Sequence, residues 1–396
     1  MLTRSFQRCK VIFTILVALL LFTIYDPIKL SYQKFFKPDG EPNLSTNKLP
    51  NSILNATYKE WIEPGKRQQT SFEGERTTTM WSLESSDLDQ SMRDSTSPTI
   101  LTGNEASHTT TETKQTEYCT ISSSEFHGRI KIDMTQIDMA ELERKYHYLK
   151  PGGHYIPQEC KARSSIAVVV PFRDREAHLK ILLNHMHYFL TKQKLDYSII
   201  VVEQIDQTFN RAKLLNIGFV EALKLYGWQC FLFHDVDVLP EDDRNLHYCP
   251  IKNPRHMAVA LNKFGYKLVY NTMFGTSSAL TVEQFRKVNG FSNRYWGWGG
   301  EDDDMYTRVK LHGYEVERYN DTIARYTMLS HSRDKANPIN PCRYKLLERT
   351  KDDWNIDGLN SLAYKVVNIT IKPLFTHILV DLFENVEKEH IKKFCE

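Results

Sequence analysis

The chain has 396 residues, 41% of them hydrophobic, which is enough for one large core with appendages. A formal net charge of +2 gives no bulk electrostatic case for nucleic acid or acidic partners. The seven cysteines (Cys9, Cys119, Cys160, Cys230, Cys249, Cys342, Cys395) show neither CxxC nor zinc-cage spacing, leaving structural disulfides or buried thiols.

Residues 11–25, VIFTILVALLLFTIY, are uncharged and apolar behind Arg4, Arg8 and Lys10. Cys9 and Ile28 extend the run toward the roughly 20 residues of a spanning helix. A cleaved signal peptide wants small residues at a cleavage site, and TIYDPIKL offers no A-x-A-like pattern. The expectation is a cytoplasmic tail at 1–10 and an uncleaved signal-anchor at 11–28. Lys29, Lys34 and Lys37 balance the near-side cations, so charge alone does not orient the span. Four N-x-S/T sequons, at Asn43, Asn55, Asn320 and Asn368, fit a lumenal body. A short span suits a thin secretory membrane. We therefore expect a single-pass type II protein facing an oxidising lumen, where disulfides persist. Residues 29–117 are rich in Ser, Thr, Asn and Glu and read as a flexible stem.

From Cys119 onward the pattern is globular. IAVVVPF (166–172) and YSIIVVEQ (197–204) predict buried strands, and CFLFHDVDVLP (230–240) predicts a third. Between them, 176–193 has helical spacing at Leu179, Leu182, Leu183 and Met186, and 211–227 reads as an amphipathic helix closed by Gly227. Alternating strands and helices mean βαβ units and a mostly parallel sheet, with ligands beyond the strands' carboxyl ends. Thr281 and Gln284 form a capping-box pattern, and a helix stopped by Gly313 places Asp302–Asp304 at its N-terminus.

Asp235-Val236-Asp237 ends an apolar strand. Two carboxylates at i and i+2 there point the same way and suit a hard divalent cation holding a diphosphate; an exposed acidic turn is the plain alternative. Arg173, Arg175 and Arg211 suit a polyanion, and Phe172 and Phe209 suit stacking on a base. In WGWGGEDDD (296–304) an EF-hand fails at Tyr306 and Thr307, and a dinucleotide fingerprint fails at Asp302. A sugar site remains: Trp296 or Trp298 faces a pyranose, glycines admit the backbone, and one acid acts as general base. A glycosidase needs two opposed carboxylates, whereas a metal-clamped diphosphate leaves without a proton. The combination predicts a metal-dependent glycosyltransferase.

FNRAKLLNIGF, HDVDVLP, YWGWGGEDDDMYTRV and HSRDK…NP, in this order, closely resemble the animal β-1,4-galactosyltransferase family, which includes β-1,4-N-acetylgalactosaminyltransferases. The resemblance runs from about Cys119 to Leu382. It implies an α/β GT-A fold (Rossmann-like, with a mostly parallel mixed sheet) over 118–396, an inverting mechanism, Mn²⁺ and a Golgi location. It makes Asp302 the base for the acceptor's 4-hydroxyl and Glu301 and Asp303 its sugar-binding neighbours. Asp237, Met328 and His331 match the metal ligands, although spacing alone reads Met328 as core packing. Pro171, Phe172, Arg173, Arg175, Phe209, Arg211, Val236, Lys263 and Trp298 match UDP-sugar contacts. Tyr270, Tyr295, Arg343, Tyr344 and Leu347 match the positions that hold acceptor GlcNAc. Implied disulfides are Cys119–Cys160 and Cys230–Cys249; none is implied for Cys342 or Cys395.

Met273 stands where galactosyltransferases of the family carry a tyrosine beside the sugar's C2 substituent. A flexible methionine leaves room for an acetamide, so the expected donor is UDP-GalNAc ahead of UDP-Gal. Thr276, where many members have glycine, also alters this wall. An inactive, lectin-like protein on the same fold would have lost a base, metal ligand or phosphate arginine, and none is lost. A polymerising transferase would usually need a second catalytic domain, for which the chain has no room.

Overall fold

The computed structural model of the protein describes residues 117–120, 125–331 and 337–395. The expected tail, signal-anchor and all but residue 117 of the stem lie outside them, as do Asn43 and Asn55. Among the described residues no helix is long and apolar enough to cross a membrane.

The body grows from β1 (Ser165–Phe172), whose run of Val and Ile is buried on both faces. It pairs in parallel with β2 (Asp196–Gln204) on one side and β3 (Cys230–His234) on the other. Helix α2 (Glu176–Lys192) links β1 to β2, and α3 (Arg211–Leu225) links β2 to β3. A short α1 (Met139–Lys145) precedes them. Alternation along β1 divides the core. Val168 and Val170 join Leu182, Leu183 and Met186 of α2, while Ala167 and Val169 join Leu214, Leu215 and Ile217 of α3. At Gly218 the helix comes so close that a Cβ would lie 2.2 Å from Val169 Cγ1.

The apolar stretch 230–240 is not one strand. It divides into β3 and β4 (Val238–Pro240), which belong to different sheets, and Asp235-Val236-Asp237 forms the corner between them. Beyond β3 come β5 (Arg255–His256), β6 (Ala260–Leu261) and β7 (Ser277–Thr281). After these the chain forms α4 (Val282–Lys287), α5 (Glu301–Leu311), β8 (Glu317–Arg318) and β9 (Arg325–Met328). It ends in α6 (Arg343–Glu348), α7 (Thr350–Asp353), β10 (Lys365–Ile371), β11 (Thr376–Asp381) and α8 (Glu384–Cys395). Among the described residues the main sheet is eight-stranded, in the order β10-β11-β2-β1-β3-β7-β5-β8, with a three-stranded sheet β4-β9-β6 beside it. The strands from β11 to β3 are parallel, and β7 and β10 run antiparallel to their neighbours, which is the mixed GT-A arrangement expected.

The Thr281 capping box forms as expected, and Gly313 follows α5 with φ +77°. Helix α3, however, ends at Leu225: the Tyr226 N–H closes on Ala222 O and the backbone then extends, so Gly227 is not its stop. Disulfides Cys119–Cys160 and Cys230–Cys249 are present, and the two cysteines left open by the sequence pair as Cys342–Cys395. Asn320 and Asn368 are both exposed.

Among the described residues five histidines are buried in this body. Burial lowers His185, His187 and His234 to about 4, and His247 and His256 to about 3, so they fold as neutral rings. His185 Nε2 meets Pro240 O at 2.8 Å and His187 Nε2 meets Leu374 O at 2.9 Å. An unfolded chain protonates such rings near pH 6.5, so their stabilisation is complete above that pH and is lost as the pH falls toward 4. Urea denaturation should therefore show stability dropping by about several kcal/mol between pH 7 and pH 5. A flat profile would contradict the neutral, buried assignment.

Candidate active site

Because β1, β2 and β3 are parallel neighbours, their carboxyl ends bring Arg173–Arg175, Phe209–Arg211 and Asp235–Asp237 to one edge. Asn210 caps α3 through its side chain, which accepts Lys213 N–H at 3.0 Å, and so aims Arg211 back across the edge. Arg211 Nε donates to Asp235 Oδ1 at 2.6 Å, and Nη1 lies 3.6 Å from Glu301 Oε1. Burial opposes the charge on Arg211, but Asp235 and Glu301 together hold it protonated above its usual range. Two carboxylates thus hold the guanidinium in place at this edge.

Glu301 opens α5. The preceding Gly300 has φ +99°, a left-handed turn that brings the acids sharply to the edge. The helix N-terminus favours negative charge there. The four acids have separate roles. Burial first, then the charge of Asp302, raises Glu301 to about 7, and among the described residues its buried Oε2 finds no hydrogen-bond partner. Asp302 is also raised by burial, with Arg211 pulling the other way. It lies so close to Gly275 that a Cβ there would be 2.3 Å from Asp302 Oδ2. The Asp303 N–H donates to Asp302 Oδ1 at 3.1 Å. Asp304 turns inward, where it takes Arg308 Nε at 2.6 Å and the Thr350 hydroxyl at 2.7 Å, and serves packing.

The DVD corner does not aim its carboxylates at one point, as an extended strand end would. Asp235 takes Arg211, whereas Asp237 Oδ2 meets His331 Nε2 at 2.9 Å, because the chain turns between two sheets there. Pairing of β4 with β9 sets Val238 opposite Met328, and Leu329 N–H donates to Asp237 O at 2.7 Å. The three positions expected to ligate a metal are therefore gathered from distant sequence. Burial and neighbouring Asp235 push the Asp237 carboxyl up, with His331 pulling the other way. A carboxylate and an imidazole suit a divalent cation, and a thioether is the soft member of the set. Among the described residues no group of three or more His, Cys, Asp or Glu stands ready for a metal. Sequence reasoning missed His178, whose ring lies 5.9 Å from that of His331, and Asn262, whose Oδ1 accepts Met328 N–H at 2.9 Å.

Phe172 is a correction: its ring is buried in the α2-side core and does not stack on a base. Pro171 and Val236 are also buried. Phe209 is half-buried at the edge with the Arg173 guanidinium 5.0 Å over its ring, and Arg173 also donates to Gln207 O. Lys263 is exposed on a short turn. Trp298 is 57% exposed between glycines in left-handed conformations, whereas Trp296 is core. Tyr270 and Tyr344 are exposed, Leu347 is half-buried, and Tyr295 is buried, its hydroxyl finding no hydrogen-bond partner among the described residues. Met273 is 7% exposed, two residues before the glycine that touches Asp302. The Arg318 guanidinium holds its carbonyl at 2.8 Å and that of Asn271 at 2.9 Å, a clamp with no sequence signal.

Residues 119–250 match the model of the N-terminal region of glycosyl transferase group 7, and 255–332 match the N-terminal domain of galactosyltransferase. The chain is 48% identical over 267 residues to β-1,4-galactosyltransferase 3 of Bos taurus, covering 67% of each chain. It is 50% identical over 236 residues to β-1,4-galactosyltransferase 4 of Cricetulus griseus, covering 59% of this chain and 68% of that one. A solved Drosophila β-1,4-galactosyltransferase 7 mutant, in complex with manganese, UDP-Gal and xylobiose, aligns with a TM-score of 0.47 and 30% identity, covering 55% of this chain and 94% of that one. The protein belongs to the β-1,4-galactosyltransferase family, glycosyltransferase group 7, and is a UDP-sugar-dependent β-1,4-hexosyltransferase.

Proposed function

We propose that the protein is a divalent-metal-dependent, inverting β-1,4-galactosyltransferase that moves galactose from UDP-galactose to the 4-hydroxyl of terminal β-GlcNAc on glycoproteins or glycolipids. The observation that carries it is Asp302: a buried carboxylate at a helix N-terminus, pressed against Gly275, with the charge of Arg211 opposing the upward push of burial. A carboxyl raised above its ordinary value is better matched to taking a hydroxyl proton near neutrality. Glu301 and Asp303 flank it and orient sugar hydroxyls. Arg173 and Arg175, at the end of β1, steady the diphosphate, and Phe209 gives the nucleotide an aromatic edge. Asp237, Met328 and His331 would hold the cation, which when bound supplies Lewis-acid stabilisation of the departing UDP. Arg343, Tyr344 and Leu347 form the acceptor side with Tyr270 and Tyr295. The oxidised cysteine pairs support a Golgi lumen, with 11–28 as the anchor.

The names of the relatives weigh for galactose as the donor sugar. Met273 favours a second reading, the UDP-GalNAc preference expected from the sequence, because a buried methionine lacks the hydroxyl and bulk of tyrosine. Pocket shape separates such analogues by about 1–3 kcal/mol, so both sugars should transfer at measurable rates. The test is kcat/KM for each donor on one β-GlcNAc acceptor. The galactose reading expects UDP-Gal to lead, and Met273→Tyr to widen that lead. A tenfold advantage for UDP-GalNAc would replace it with the second reading.

A further inference from the structure

We propose that the Cys342–Cys395 disulfide positions the acceptor wall: it ties the helix bearing Arg343, Tyr344 and Leu347 to the C-terminal helix α8. This rests on the reading that those three residues hold GlcNAc.

Helix α6 has six residues, with only Leu346 buried, too short and too thinly packed to hold its own place. On its inner side it meets the tryptophan loop. Trp298 N–H donates to Pro338 O at 2.8 Å, and Asn340 N–H returns to Trp298 O at 3.0 Å. Arg343 lies over two glycines: a Cβ on Gly299 would be 3.2 Å from Arg343 Cδ, and one on Gly300 would be 3.1 Å from Arg343 Cβ. Gly300 is the residue before Glu301 and Asp302, so Arg343 is set one glycine away from the base's helix. A shift of α6 therefore moves the acceptor relative to the base.

The outer side is held from α8. Cys342, buried at the start of α6, is bonded to Cys395, and Lys345 Nζ donates to Cys395 O at 2.6 Å. The Phe394 ring carries Arg294 at 4.2 Å and Arg349 at 5.1 Å. Tyr295, Cys342 and Leu346, with Phe394 and Cys395 against them, form a small apolar cluster, and Cys395 also packs against the α3-side core. The covalent bond does for α6 what a larger core would otherwise do. Donor residues on β1–β3 take no part in this attachment.

The effect should therefore fall on the acceptor alone. Misplacement of a positioned group by a fraction of an ångström to an ångström costs up to about 10²-fold, so Cys395→Ser should raise KM for a p-nitrophenyl β-GlcNAc acceptor about tenfold. KM for the UDP-sugar should stay within about twofold of wild type. Hydrogen exchange at 343–348 should quicken. Phe394→Leu keeps the disulfide and should give a smaller rise of the same kind; it carries the test if Cys395→Ser does not fold. Arg343→Ala is measured alongside. If it leaves acceptor KM unchanged, the acceptor-site reading fails. If it raises that KM while Cys395→Ser and Phe394→Leu do not, or while they depress both substrates' kinetics together with melting temperature, the positioning role is overturned.

Discussion

Asp302→Asn should lower kcat by about 10² or more while UDP binding stays close to wild type, the size typical of a lost general base. The amide keeps the shape that fits against Gly275 and still accepts the Asp303 N–H through its oxygen, so packing is largely preserved. What it lacks is a lone pair able to take the acceptor's proton. Single-turnover rates beside calorimetric UDP binding separate the two effects. Near-normal turnover would move the base role to Glu301, which is raised to about 7 and has a carboxylate oxygen with no hydrogen-bond partner among the described residues.

Arg211→Met should be the most destabilising single change at the site. Arg211 lies between Asp235 at 2.6 Å and Glu301 at 3.6 Å, with Asp302 also within its field. Removing the cation leaves partly buried carboxylates without a partner, and breaking a buried pair in this way costs about 3–5 kcal/mol. Glu301 and Asp302, whose protons the Arg211 charge now helps to expel, would then hold them more tightly, so the acid side of the rate profile should move to higher pH. Urea denaturation at pH 7 and the pH dependence of kcat check both parts. A loss under about 1 kcal/mol would mean that the network is solvated rather than buried.

Much of this was legible in the residues. Continuous β-branched runs give β1 and β2, and the 3.6-residue spacing gives α2 and α3, because local pattern and tertiary burial agree there. The break at Asp235–Asp237 was hidden, since apolar residues stand on both sides and only tertiary pairing sends them to different sheets. The contact of Arg211 with Glu301 was hidden too, because sequence cannot show that a residue ninety positions later comes to meet it. Within EDDD, adjacency suggested one acidic cluster. Helical geometry turns each successive residue by about 100°, so Asp304 meets Arg308 one turn on and leaves the site. The partner of Cys342 was beyond reach, because spacing does not determine disulfide connectivity.

The most direct measurement is product analysis by NMR after incubating the protein, Mn²⁺ and UDP-galactose with a terminal β-GlcNAc acceptor, beside a control in excess chelator. Galactose joined β1-4 to GlcNAc, with no product in the chelator control, is the predicted result. An α linkage, attachment at another hydroxyl, or undiminished transfer in chelator would contradict a metal-assisted inverting transfer to the 4-hydroxyl at Asp302.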